Sequence, residues 1–285
     1  MLAEPKPNVA LRIEVLMIQT ITKLRHIRPR RLCVFRSFFL LFLVLPFSMN
    51  THAVEFRVES RVYADDGQQP LEHRIALFDE KATYDIGAVD VGRSSILLRD
   101  QEVLILIDTI KKKYTRISRI DLARHFVLQQ DRIRKMAPDR QAALNPSLKE
   151  EGDRQSKTLT LTNPHLTYSA RLLAKSPEIV RRYREFTDWH ARLNAIMPGS
   201  PSPSPRLALN KAIATRDAVP TEVTKTHIVD TKIRSRLRSE HRYEKKWRDD
   251  DRRRVKQIMD SYRGYQEVEL ADFLRVATAA KARQR

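Results

Sequence analysis

Cysteine is almost missing from this chain: Cys33 is the only one in 285 residues. No intrachain disulfide can form, and past position 33 there is no thiol for nucleophilic catalysis or for a thiolate zinc site. Glycine is scarce as well, with six residues at positions 67, 87, 92, 152, 199 and 264. No two of them stand in a phosphate-cradling or dinucleotide-binding arrangement, which argues against nucleotide-dependent chemistry of those kinds. Neither G-x-S-x-G nor H-E-x-x-H occurs, so the hydrolase and zinc-protease readings lose their signatures. The histidines beyond residue 53, namely His73, His125, His165, His190, His227 and His241, are scattered singly. The nearest approach to a cluster, Asp188 and His190, is two positions apart on an expected helix, where residues do not share a face. Trp189 and Trp247 read as core or interface anchors and not as base-stacking platforms. No catalytic, cofactor-binding or metal-binding residue is assigned, and no cofactor is expected. An enzyme with an unrecognised site is the least favoured reading.

Long apolar runs are missing too, with one exception. Ser37 to Phe47 contains SFFLLFLVLPF, preceded by Arg25, Arg28, Arg30, Arg31 and Arg36 and followed by the small residues Thr51 and Ala53. That succession is a signal peptide with a long n-region, and it predicts cleavage near Ala53 with Val54 as the first mature residue. The apolar part covers about half of the roughly 20 residues a membrane crossing needs, so an inner-membrane anchor is the alternative. Translation starting at Met17 would give the n-region a more usual length. The expected location is the periplasm or cell envelope.

Residues 1–53 hold eight of the 54 basic and two of the 35 acidic residues, so the remainder carries 46 and 33, a net charge of +13. Such a balance attracts anionic surfaces or polymers by long-range electrostatics. Nucleic acid is less accessible outside the cytoplasm, so sequence-specific binding to it is not expected; Arg interleaved with Asp and Glu also fits a merely soluble basic protein.

The pattern from Val54 onward predicts an α+β fold. Residues 54–137 read as antiparallel sheet with a covering helix. Val54, Phe56, Val58 and Val62 alternate with Glu55, Arg57, Glu59 and Arg61, which predicts a strand half buried and half solvated. Asp65 to Gly67 is a turn, and further strands are expected at Arg74 to Phe78, Thr83 to Ile86, Ser95 to Leu98 and Val103 to Ile110. The run VLILI starting at Val103 is apolar on both faces, as in a strand covered on both sides. Ser118 and Asp121 form a capping signal for a helix with Ile120, Ala123, Phe126 and Val127 as its apolar positions.

Residues 138–155 read as a loop, and 156–197 as a hairpin plus an amphipathic helix of the same sheet domain. The hairpin pairs Thr158 to Thr162 with Leu166 to Leu172. The helix has Ser176 and Pro177 at its start and packs on the sheet through Phe186, Trp189 and Leu193. Residues 198–205, PGSPSPSP, read as a stiff linker, and 206–285 as a basic helical C-terminal region. Within that region Asp249 to Asp251 start a helix with a Val255, Ile258, Met259 and Tyr262 stripe, and Gly264 ends it.

The segment SILLRDQEVLILIDTIKKKYTRISRIDL, from Ser95 to Leu122, resembles the pattern of periplasmic lipoprotein carriers of the LolA and LolB type. There a strand, a turn and a strand ending in an acidic residue precede a Lys-rich turn and another short strand. With RIALFDEKATYDI before it, EFTDWHARLN and LRSEHRYEKKW after it, the chain is also similar to a group of uncharacterised secreted bacterial proteins. The carrier resemblance implies a curved antiparallel sheet holding helices, with an apolar cavity for acyl chains. A non-enzymatic envelope protein that binds a lipophilic or amphipathic ligand is the leading expectation. The alternative is a basic interaction or scaffold protein docking on an anionic polymer, a membrane surface or a protein partner.

Overall fold

The computed structural model describes residues 54–89, 92–152, 156–196, 202–229 and 231–274. The signal segment, the first half of the Pro/Ser linker and residues 275–285 of the expected C-terminal region lie outside them. Six strands follow one another as a meander: β1 (Phe56–Ala64), β2 (Glu72–Phe78), β3 (Ala82–Gly87), β4 (Arg93–Leu98), β5 (Val103–Asp108) and β6 (Lys113–Ser118). Local chemistry sets the turns. Asp79 Oδ1 accepts from the amides of Lys81 and Ala82 at 2.8 and 2.7 Å, bending β2 into β3. Asp65 takes a left-handed φ of 46° after β1, a conformation that aspartate tolerates better than most residues.

Helix α1 (Arg119–Arg134) is capped by Ser118, whose side chain accepts from the Asp121 amide at 3.1 Å. Its expected apolar face is corrected. Ile120 and Val127 are exposed at 69% and 54%, and the buried residues are Leu122 and Ile133. The helix contacts the core over a narrow stripe, so neighbouring apolar residues face outward.

The expected loop at 138–155 instead contains helix α2 (Pro138–Leu144) and strand β7 (Lys149–Glu151). All three residues of β7 are exposed, so backbone pairing alone builds the strand and no side-chain pattern marks it. Then come β8 (Thr158–Thr162), β9 (Leu166–Ala174), α3 (Pro177–Ala195) and α4 (Ser204–Ala214). Asn163 Oδ1 makes the β8–β9 turn by accepting from the amides of His165 and Leu166. Ser204 and Pro205, expected in the linker, belong to α4.

The largest correction concerns residues 206–285. Helix α5 (Asp249–Tyr262) is present where expected, but β10 (Ala218–Val229) and β11 (Lys232–Glu244) are the two longest strands among the described residues. With the short β12 (Gln266–Glu267), the sheet has twelve strands in the order β12-β6-β5-β4-β3-β2-β1-β11-β10-β9-β8-β7. Every pairing is antiparallel except β12 with β6. The fold is α+β with a large curved sheet, and the β10–β11 hairpin joins its two halves.

Strand alternation gives the sheet two faces. On one, Phe56, Val58 and Phe78 pack against Val180 and Tyr183 of α3. Leu97, Leu104 and Ile117 meet Leu122 of α1 and Trp189 of α3. Leu159, Tyr168 and Val223 meet Leu209 and Ile213 of α4. On the other, Ile75, Leu77, Ile105 and Ile107 are covered by Val255 and Ile258 of α5. Coverage on both sides explains the doubly apolar β5. It also corrects the solvated face expected for β1 at one position: Arg57 is 2% exposed, because the start of α5 lies over it, while Arg61 stays exposed.

Candidate functional site

Where α3 and α4 span the joint between the sheet halves, they do not fill the space. A cavity of roughly 500 Å³ remains between them and strands β1, β2, β3, β9, β10 and β11, well within the size of small-molecule sites. Its wall is mainly apolar, with Val62, Ala76, Val223 and Leu237 from the sheet and Phe186 and Ala191 from α3. Alternation along the strands delivers these side chains to one face, and the same alternation brings in the polar groups at the two ends.

At one end stand Lys225 of β10, Arg206 of α4 and His241 of β11. Among the described residues neither Lys225 nor Arg206 has a carboxylate within ion-pair distance. Arg206 Nε donates to Asn210 Oδ1 at 3.1 Å, and Asn210 Nδ2 donates to Asp188 Oδ1 at 2.8 Å, which orients the guanidinium. Burial, and then the neighbouring Arg206, push the Lys225 ammonium below its ordinary value. His241 is held down to about 3 by burial and by Arg206, so it is a neutral imidazole. Its Nδ1 lies 2.9 Å from Ser60 Oγ and its Nε2 3.1 Å from Ser239 Oγ.

At the other end Asp85, 5% exposed, accepts from Arg74 Nε through both oxygens at 2.8 and 2.9 Å. His190 of α3 faces it with Nε2 3.7 Å from Asp85 Oδ2. Burial lowers the His190 value against the opposing pull of Asp85. His190 and Asp188 do point to different partners, as their spacing predicted. What the sequence could not supply was Asp85, about a hundred residues away. Trp189 is a core residue at 7% exposure, and Trp247 Nε1 donates to the Phe56 and Phe78 carbonyls at 3.3 and 3.1 Å. Among the described residues no three His, Cys, Asp or Glu side chains gather as a metal site.

No family model matches the chain, and no curated protein matches it. The cavity and the charge pattern around it therefore carry the functional argument.

The opposite face of the sheet around the joint is charged and laced by ion pairs, in which Glu59 and Glu244 are each shared with Arg57. Arg61 pairs with Glu59 at 2.9 Å, Arg171 with Glu222 at 4.0 Å, Arg242 with Glu244 at 3.8 Å, and Arg238 with Glu240. Among the described residues no helix is long and apolar enough to cross a membrane.

The neutral His241 has a consequence for acid stability. Its folded value of about 3 lies below the ordinary 6.5, so between those limits the unfolded chain binds the extra proton. Stability is fully present above the ordinary value and declines as pH falls toward the folded one. The His190 value is lowered in the same direction. Urea denaturation at about pH 7 and about pH 5 should show a loss of stability on acidification, and His241→Gln should reduce that loss. An equal loss in the variant would contradict the assignment.

Proposed function

We propose that this chain is a non-enzymatic ligand-binding protein of the cell envelope. Its cavity takes an amphipathic molecule with an apolar body and an anionic head. The observation that carries the reading is the pair of cations, Lys225 and Arg206, at one end of a mainly apolar cavity and without acidic partners among the described residues. A partly buried cation without a counter-charge is costly, and a carboxylate or phosphate headgroup offsets that cost. Apolar walls stabilise a chain beyond the head by about 25 cal/mol for each Å² removed from water. The envelope location rests on the Arg-rich, apolar and small-residue succession ending at Ala53. Protein recovered from the envelope with an amino terminus near Val54 supports that location, and intact chain in the cytoplasm speaks against it.

The arginines named on the outer face are held by carboxylates, whereas Lys225 and Arg206 are not, so the cavity and not that surface carries this reading. Titration with a fluorescent fatty acid tests it. Saturable binding is expected, with Lys225→Glu lowering the affinity by about tenfold or more, the worth of one charge-assisted hydrogen bond. Binding should persist from low to near-physiological salt, because burial of the apolar chain is not screened. Absence of saturable binding, or an affinity indifferent to Lys225→Glu, would remove the reading.

A further inference from the structure

The cavity has a second polar end whose chemistry the anionic head does not use. Asp85 is already neutralised by Arg74, and Arg74 is fully engaged: beyond the two contacts to the carboxylate, its Nη2 donates to the Asp85 carbonyl at 3.1 Å. A negative headgroup at this end would face Asp85, so the head belongs at Lys225 and Arg206. Yet His190 Nε2 is buried without a hydrogen-bond partner, and it stops 3.7 Å short of Asp85 Oδ2. That gap is too long for a direct hydrogen bond. His190 Nε2 is thus left without a partner at the cavity wall, beside an Asp85 Oδ2 that accepts from Arg74 Nε at 2.9 Å.

We infer that the cavity end formed by His190 and Asp85 is a hydroxyl-recognition subsite for the far end of the ligand's apolar body. The inference rests on the proposed binding of an anionic amphipath in this cavity. A hydroxyl suits the pair because it donates and accepts at once. It accepts from His190 Nε2–H, in the tautomer protonated there, and donates to Asp85 Oδ2. The other polar groups fit less well. An ammonium would meet the Arg74 guanidinium beside Asp85, and a second carboxylate would meet Asp85 itself. A purely apolar terminus would leave His190 Nε2 unpartnered, which disfavours the unsubstituted chain. Phe186, whose ring centroid is 4.3 Å from that of His190, supplies the apolar surface next to the subsite.

The positions also set the ligand's length class. Asp85 lies on β3 and Lys225 on β10, four strand steps apart in the sheet order. At about 4.8 Å per step the two strands are roughly 19 Å apart across the sheet, and the register sets Asp85, level with Val58, and Lys225, level with Ala64, apart along the strands as well. A long chain with an anionic head at one terminus and a hydroxyl at or near the other spans that distance.

Hexadecanoic acid and its ω-hydroxy derivative, titrated calorimetrically into the purified protein, separate the possibilities. The ω-hydroxy acid is expected to bind about tenfold more tightly, as one satisfied buried hydrogen bond implies. His190→Phe keeps the ring contact with Phe186 and removes the donor. It should abolish the preference, so that the two acids bind the variant within about threefold of one another. Equal binding of the two acids to the native protein, with the Lys225→Glu loss intact, overturns the subsite and leaves the proposed function standing. Survival of the preference in His190→Phe also overturns it. If neither acid binds, the proposed function fails and the subsite fails with it.

Discussion

Replacing Arg57 by methionine is expected to destabilise the protein by about 3–5 kcal/mol, the cost of leaving buried charge uncompensated. Arg57 Nη1 contacts Glu59 at 3.0 Å and Glu244 at 3.3 Å, while Nε lies 3.2 Å from Asp251 Oδ2. Asp251 is itself 3% exposed, and it accepts from the Arg248 amide at 2.9 Å at the start of α5. The substitution therefore strands a buried carboxylate and loosens the helix that covers Ile75 and Leu77. Burial alone would raise the Glu59 carboxyl; hydrogen bonds from Arg57 and His73 outweigh it and bring the group down to about 2. Arg61, nearly half exposed, provides the contrast: Arg61→Met should cost under about 1 kcal/mol. Urea titrations of the two variants decide the matter, and equal stabilities would mean that Arg57 is not the tie between α5 and the sheet.

Trp189→Ala should cost a similar amount, about 3–5 kcal/mol, through the cavity it leaves. The indole sits in a cluster with Leu97, Leu104, Leu106 and Ile117 from the sheet and Leu122 from α1. It is the point where α1 and α3 meet the strands together, and truncation removes the shared wall. Val127→Ala, on the exposed side of α1, should change stability by less than about 0.5 kcal/mol. If Trp189→Ala melted with the native protein, the packing of α3 on β4 and β5 would have to be abandoned.

The candidate site was far less legible than these core contacts. Asp188 and His190 were the nearest thing to a cluster, and the spacing rule rightly separated them. The rule speaks only of neighbours along the helix. The actual neighbour of His190 is Asp85, delivered by β3, and the actual neighbour of Lys225 is Arg206, delivered by α4 across the β9–β10 joint. Basic residues interleaved with acids gave a signal of solvated charge. Only the sheet order sorts them into a paired set on one face and two unpaired cations inside a cavity.

Strands β10 and β11 make the same point about the fold. Their inward side chains include Lys225, Ser239 and His241, which line a partly polar cavity, while Glu222, Arg238, Glu240 and Arg242 point outward. Hydrophobic alternation is absent because neither face is purely apolar, so the stretch resembled a charged tail. Where one face meets a dry core, the pattern was plain: β1 through β5, the β8–β9 hairpin, α3 and α5 all follow from apolar periodicity and from helix-start residues such as Pro177 and Asp251. Periodicity and capping are local, and local chemistry was enough to determine those elements and their order along the chain. The joining of the two half-sheets through β10–β11, the burial of Arg57 and the cavity beneath α3 and α4 depend on pairings between distant residues, such as Arg57 with Glu244 and Leu166 with His227. Only the tertiary structure decided them, because the backbone hydrogen bonds and ion pairs that select such partners leave no periodic trace in the sequence.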